Sequence, residues 1–510
     1  MNTFPEHLVI LGGGTAGWLS ALYLDRVFNS AQRRPLKITV VESARTERIG
    51  VGEATLTSLR DFFNFLGLDE VELMKRTRAT LKQGVRFEDW SEIGKSYFHP
   101  FEGFTGVGPV PSGTLWLARR ERGLAGRFQD ETGMQSRLAE EGYAPKSIMS
   151  DGYQGSLGYA YHLDADLLAD FLAEKAIARG CSHMVDDVRD VEVRDGAIAA
   201  LMTASGQRIA GDFFIDCSGF ASLLLEKALG ASYTSFSDWL LCDRAVAIRK
   251  PYTETPVIPP YTNTRALSAG WMWQIGLRDR MGLGYVYSSR HLDAQQAEAE
   301  LRQQGGIPDD CPAKHLSMRV GHFDQAWVSN CVAIGLSGGF IEPLESTGIY
   351  FITSALSLLV RYFPLSGINA AARDKFNQHL RRRYDEVKDF IVAHYCLSKR
   401  RDTAFWRDVT APGAVPSSLK ERLALWEDRG IGPEDIDDKL SLFAPLNWQY
   451  LLYGMGWEPK AAAANAHFWI GDRDDHLALY DQALAEARRH MPRHEFWLAA
   501  LDELEMPNSA

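Results

Sequence analysis

The 510-residue sequence predicts an α/β fold, in which a Rossmann-like dinucleotide-binding domain carries an inserted β-rich region and a mostly helical C-terminal region. Three observations carry this expectation. An apolar run at residues 7–11 enters a glycine cluster and then an apolar-periodic segment at residues 18–28. A second β-branched run, LKITVV at residues 36–41, ends on Glu42, and alternating residues at 270–277 and 284–288 read as antiparallel strands.

Each element has a local cause. In GGGTAGW (residues 12–18), Gly12, Gly14 and Gly17 fall on the G-x-G-x-x-G frame, whose glycines permit a tight turn, close approach of backbone to a pyrophosphate, and helix packing. Alone the motif is weak; its place between strand and helix, about 25 residues before an acidic Glu42 suited to a ribose hydroxyl, strengthens it. Further strands are expected at residues 191–193, 198–203 and 212–216, and helices at 165–179 and over much of the chain after 349. The expected organisation is a cofactor and substrate-side module at residues 1–360 and a helical region at 361–510 that completes the substrate pocket. The Pro/Gly/Ser stretch at 411–418 is the best internal linker candidate, and no fixed-period repeat stands out.

Composition narrows the partners. A formal charge of -11 argues against nucleic acid or an anionic membrane, which demand clustered Lys and Arg. The six cysteines lie far apart without a CxxC pair and read as reduced, mostly buried thiols. The apolar stretch at 349–363 is broken by Thr353, Ser354, Ser357 and Arg361 and is shorter than the ~20 residues of a membrane span. The N-terminus enters a strand without a secretory signal pattern, so a cytoplasmic protein is expected.

The segments DFFIDCSG (212–219) and NCVAIGLSGG (330–339) look like flavoprotein elements and favour FAD over NAD. With them, GGGTAGW, IGVGEAT (49–55), DCSGF (216–220), GWMWQI (270–275) and FIEPLESTGI (340–349), in that order, closely resemble the tryptophan-halogenase family of flavin-dependent halogenases. The similarity runs over nearly the first 410 residues. It implies a fold of the flavin monooxygenase type and an enzyme that uses FADH2, O2 and chloride or bromide to form hypohalous acid and halogenate an electron-rich arene. A separate NADH-dependent flavin reductase is the implied partner, and a homodimer is left open. Beyond the glycines and Glu42, the implied flavin contacts are Thr15, Ala16, Val188, Leu336 and Ile349.

The remaining candidates divide between residue chemistry and resemblance. Glu345-Ser346-Thr347-Gly348 precedes the apolar helix, so Ser346 or Thr347 is expected to cap it while backbone N–H groups point outward as an anion site. In the family the halide sits at the positions matching Thr347 and Gly348. Lys82, in ATLKQGVRFEDW, would ordinarily be a solvated side chain. The resemblance makes it the lysine that holds hypohalous acid at the end of a tunnel far from the flavin, where an ammonium polarises the O–halogen bond. It makes Glu345 a carboxylate that stabilises the arene cation and accepts its proton. Trp271 and Trp273, at i and i+2, share one face of a strand; in the family this pair keeps the substrate from the flavin. The family form continues Ile-Pro, whereas Ile275 here precedes Gly276, which predicts a locally looser backbone.

His99 and Phe101, in HPF, match positions that sandwich an indole ring, and Ser346 is a further substrate contact. Free-tryptophan halogenases add a C-terminal Tyr-Tyr pair, followed closely by Glu and Phe-Trp, that binds the charged ends of the amino acid. Here NWQYLLYGMGWEP (447–459) lacks the pair, and Glu458 stands ten residues before Phe468-Trp469. An indole, a phenol or a larger indole-bearing molecule is therefore expected rather than free tryptophan. Two other readings compete: a flavin hydroxylase, which needs neither Lys82 nor the tryptophan pair, and a non-enzymatic flavin redox sensor.

Overall fold

The apolar run at the N-terminus forms the strand His7–Leu11 and is the pivot of a six-stranded sheet. Its neighbours are Lys37–Glu42 on one side and Phe213–Asp216 on the other, both parallel, with Leu8 opposite Phe213 and His7 opposite Lys37. Ser182–Val185 extends the sheet beyond Lys37–Glu42; Cys331–Ala333 and then antiparallel Trp327–Val328 extend it beyond Phe213–Asp216. The helix Thr15–Phe28 makes the crossover between the first two strands. It starts three residues earlier than the apolar periodicity suggests, so its first turn contains part of the glycine motif.

The structure is a computed structural model and describes residues 4–30, 33–45, 50, 52–107, 110–436, 441–459 and 475–505. Two compact units are present. The first comprises Met1–Ala79, Leu163–Phe236 and Met318–Tyr384; the second comprises Thr80–His162, Ser237–Ser317 and Asp385–Ala510. The linker candidate at 411–418 lies inside the second unit, where it forms a short 3-10 turn, Pro412–Ala414, and opens the helix Ser417–Arg429.

The first unit adds an antiparallel sheet of Val188–Arg194, Ala197–Thr203 and Arg208–Ala210. Val9, Leu11, Val41, Ile198, Leu201, Ile209 and Phe214 form one buried cluster that welds this sheet to the parallel one. Each fully buried aliphatic chain there contributes about 1.5 to 3 kcal/mol. The helix Gly348–Tyr362 is apolar through most of its length, as its sequence requires of a core element.

The second unit centres on a seven-stranded sheet in the order Ala313–Ser317, Arg244–Pro251, Arg280–Tyr287, Gly270–Gly276, Thr262–Ala266, Gly84–Glu88, Ser96–Pro100. All neighbours are antiparallel except Thr262–Ala266 and Gly84–Glu88. Helices Pro445–Gly454, Asp475–His490 and His494–Glu503 follow toward the C-terminus. No helix among the described residues is long and apolar enough to cross a membrane.

Candidate active site

In the first unit the glycine motif is fixed by contacts that a side chain would break. Gly12 has φ +122, and a Cβ there would lie 2.2 Å from the Cys217 carbonyl oxygen; one on Gly17 would lie 1.8 Å from the Gly12 carbonyl oxygen. Gly14 is the N-cap of helix Thr15–Phe28 and would meet nothing within 4 Å, so open space lies above the helix N-terminus. Among the described residues no side chain caps that terminus. Uncapped N–H groups under open space, with no room for bulk on either flanking glycine, fit the pyrophosphate of a dinucleotide.

Glu42 ends the neighbouring strand and its Oε2 is 3.0 Å from Nε2 of His183. The imidazole packs edge-on to Trp18 at 4.9 Å. A Cβ on Gly13 would lie 2.1 Å from the Glu42 carboxyl carbon, so the glycine cluster and the acidic residue meet as the motif requires. Thr15 Oγ1 donates to the Ala165 carbonyl at 3.4 Å. Gly335 lies close enough to Ala16 that a Cβ there would stand 2.9 Å from the Ala16 Cβ, which brings the turn Gly335–Ser337, with Leu336, to the helix start. Val188 is partly buried and packs against the apolar cluster of the first unit.

The segment ahead of helix Gly348–Tyr362 turns through Ser346 in the left-handed region, φ +62. Thr347 is the N-cap, but with φ -85 and ψ -4 it is already helical, and no side chain caps the helix among the described residues. Thr347 does not cap the helix with its side chain, because a side-chain cap calls for an extended backbone at that position and its backbone is helical. Thr347 is wholly buried, and its Oγ1 has no partner among the described residues. Glu345 and Ser346 are buried beside it, and Ile349 occupies the first turn.

Glu53, from strand Gly52–Ala54, reaches the same helix start: a Cβ on Gly348 would stand 3.8 Å from its Oε2. Burial pushes the Glu53 carboxyl up to about 7. It is a site residue that reading the chain for spacing missed, although it lies in the IGVGEAT fragment; Ile49 and Val51 of that fragment are outside the described residues.

In the second unit Lys82 ends the strand Thr80–Lys82, paired antiparallel with Ala160 to His162. It is 0% exposed, and its Nζ is 5.2 Å from the centroid of the Phe101 ring. The side chain is therefore enclosed, as expected of a group that works in a water-poor site. His162, opposite Thr80, places Nε2 2.8 Å from Thr262 Oγ1 and Nδ1 3.4 Å from Thr80 Oγ1. Burial, then the proximity of Lys82 and of His494, hold its pKa well below the usual histidine value. His494 is driven down to about 4 by burial.

Trp271 and Trp273 lie on one strand with ring centroids 6.1 Å apart, as the i, i+2 spacing predicts. Trp273 is opposite Gly284, and a Cβ there would come 2.0 Å from its ring: the indole lies flat against the glycine backbone. Gly276, where the family has proline, is tight rather than loose. A Cβ on it would lie 2.5 Å from Ile258 Cγ2, and its carbonyl accepts a 2.7 Å bond from Thr80 Oγ1.

His99 and Phe101 have different recorded neighbours. His99 Nε2 is 2.9 Å from Asn447 Nδ2, and its ring lies 5.7 Å from Tyr450, whereas Phe101 accompanies Lys82. Glu458 pairs with Arg120 at 2.5 Å. Phe468 and Trp469 lie outside the described residues.

The parallel sheet with its glycine turn at a helix start is of the dinucleotide-binding class, and the second unit carries a buried lysine beside the Phe101 ring. The tryptophan halogenase family model matches residues 7–468, and the chain belongs to that family; it is an enzyme, a flavin-dependent halogenase. The 7-chloro-L-tryptophan 6-halogenase of Kutzneria sp. (strain 744) is 39% identical over 98% of this chain and 100% of its own. The crystal structure of a tryptophan 6-halogenase from Streptomyces toxytricini matches with TM-score 0.91 at 35% identity, covering 98% of this chain and 100% of that one. A flavin-dependent halogenase from Brevundimonas sp. BAL3 matches with TM-score 0.87 at 37% identity, covering 98% and 99%. The hydroxylase and redox-sensor readings give way to the halogenase. The family implies FADH2, a halide and O2 as co-reactants, a small aromatic substrate and a separate flavin reductase.

Proposed function

We propose that this enzyme halogenates an uncharged indole or a related electron-rich arene, with hypohalous acid made from chloride or bromide and held by Lys82. The observation that carries the reading is the complete burial of Lys82 beside Phe101. An ammonium is withdrawn from water only at a cost of several kcal/mol, which a merely solvating lysine would not incur.

Gly12, Gly14, Thr15, Ala16, Gly17 and Glu42 would hold FAD at the start of helix Thr15–Phe28, with Val188, Leu336 and Ile349 as further contacts. Bound in its reduced form, the flavin supplies the electrons by which O2 and halide yield hypohalous acid. Thr347 and Gly348 would hold the halide, since buried helix-terminal N–H groups favour an anion.

Lys82 donates a hydrogen bond to the oxygen of hypohalous acid and polarises the bond to halogen. The arene carbon then attacks the halogen, the hydroxide takes a proton from the Lys82 ammonium and leaves as water, and the proton displaced from the ring carbon passes to Glu345, so the net proton count is unchanged. Trp271 and Trp273 keep the arene from the flavin, and His99, Phe101 and Ser346 contact it. An NADH-dependent flavin reductase on a separate chain would deliver the reduced cofactor.

The test is mass spectrometry of an indole panel incubated with the protein, FAD, a flavin reductase, NADH and bromide or chloride. Halide-dependent mono-halogenated products support the reading. Hydroxylated products, or none, overturn it.

A further inference from the structure

His494 opens the C-terminal helix His494–Glu503 and is 1% exposed, with both ring nitrogens bonded to backbone. Nδ1 is 2.8 Å from the Ile258 carbonyl oxygen, and Nε2 is 3.2 Å from the Leu81 amide nitrogen. A carbonyl only accepts and an amide only donates, so the proton is on Nδ1 and the ring is neutral. Two residues along both segments, the Gln83 amide donates to the Pro260 carbonyl at 2.8 Å. The imidazole thus replaces a direct rung: Leu81 N–H to Nε2, then Nδ1–H to the Ile258 carbonyl. Lys82 sits between these two rungs, and its other neighbour across the strand pair is Ala160.

We propose that His494 is a positioning residue for Lys82: by spanning Leu81 and Ile258 it fixes the strand from which the lysine projects, so that the ammonium is held beside Phe101 to receive hypohalous acid. The proposal rests on the reading of Lys82 given above. The same imidazole ties that strand to the C-terminal helix, whose start is anchored by the His494 amide on the Gly142 carbonyl at 2.8 Å. A direct carbonyl rung at this point would draw residues 81 and 258 together by the width of the ring and turn the strand. The depressed pKa of His494 agrees with a ring that must stay neutral.

The experiment compares His494→Gln with His494→Met. A glutamine amide carries an acceptor and a donor about as far apart as the two ring nitrogens, whereas methionine fills similar volume and bonds neither. Three readouts are taken on full-length protein supplied with FADH2 and bromide: the rate of flavin reoxidation, the arene product, and hypohalous acid that escapes and brominates monochlorodimedone in solution. In the Met variant the product rate should fall at least about tenfold while reoxidation stays within about twofold, with escaped oxidant rising to match. The Gln variant should recover most of the product. Equal partition between product and escaped oxidant in Met, Gln and unsubstituted protein overturns the proposal, as does equal loss in both variants. Should the Met chain fail to fold, His494→Asn, which reaches Ile258 but not Leu81, takes its place and must partition as predicted for Met. Lys82→Ala run in parallel separates the two readings: normal product there overturns the role of Lys82 itself, whatever the His494 variants do.

Discussion

Lys82 holds its Nζ 5.2 Å from the centre of the Phe101 ring with none of its surface exposed. An aromatic face stabilises a desolvated ammonium by up to about 2 kcal/mol, so this ring lowers the cost of keeping a charged donor inside the protein. Lys82→Ala should reduce halogenation by at least about a hundredfold while FAD binding and reoxidation by O2 persist. Product yield near that of the unsubstituted enzyme, measured by chromatography under matched reoxidation, would falsify the assignment.

Glu345 is 3% exposed and immediately precedes the left-handed Ser346, so the backbone gives its side chain little freedom. Glu345→Gln should slow product formation by a factor on the order of 10 to 1000, the range of a lost proton acceptor. An unchanged turnover number would leave this carboxylate a structural role alone.

Glu53 makes halide binding pH-dependent if the anion lies at Thr347 and Gly348. Its carboxyl, raised to about 7, is neutral below that pH and ionised above it. Two like unit charges at about 4 Å repel by roughly 4 kcal/mol at an effective dielectric near 20, so an ionised Glu53 disfavours an anion beside it. The KM for bromide is therefore expected to rise by up to about tenfold between pH 6 and pH 8, and Glu53→Gln should flatten the profile. A slope that survives in the Gln variant means another group is responsible.

His494 predicts acid lability. Its pKa falls from 6.5 to about 4 on folding, so the folded state resists a proton that the unfolded chain accepts. The contribution, about 3 kcal/mol, is fully present above pH 6.5, shrinks as pH drops toward 4, and levels off below it. His162, also held low, acts in the same direction. Unfolding free energies by denaturant at pH 7, 5.5 and 4 test this: equal stabilities at all three would contradict it, and His494→Gln should lose part of the dependence.

Free indole should be a better substrate than tryptophan. Glu458 is engaged by Arg120, and Tyr450 donates its hydroxyl toward Glu102 while accepting from Thr132, so these C-terminal groups are committed within the protein. Burying an ammonium and a carboxylate without partners costs several kcal/mol, against a single N–H for indole. Competition at equimolar concentration decides the matter, and a higher kcat/KM for tryptophan would reveal an amino-acid clamp and end this hypothesis.

What could be read from the chain follows the range of the forces involved. Gly12, Gly14, Gly17 and Glu42 are legible because a tight turn, a helix start and a strand end are local requirements, and the structure joins them as the spacing implies. Trp271 and Trp273 follow from strand alternation in the same way. Thr347 misled because capping depends on the backbone dihedrals of the N-cap residue itself, which here are helical. Gly276 also misled: its tightness comes from Ile258, a contact that no local rule foresees. His494 was illegible, since its bond to Leu81 spans 413 positions and no periodicity marks it.

The threefold interleaving of the two units has a cost in time. The first unit needs residues up to Tyr384 before its last segment exists, and the strands that flank Phe213–Asp216 are encoded more than a hundred residues apart. At the ~5 to 20 residues per second of synthesis, a ribosome takes roughly 20 to 80 s to supply that segment. Between synthesis of Phe213–Asp216 and of Cys331–Ala333, roughly 6 to 23 s of that time, the nascent sheet presents an open apolar edge. Exposure of this edge during synthesis is thus written into the order in which the chain is made.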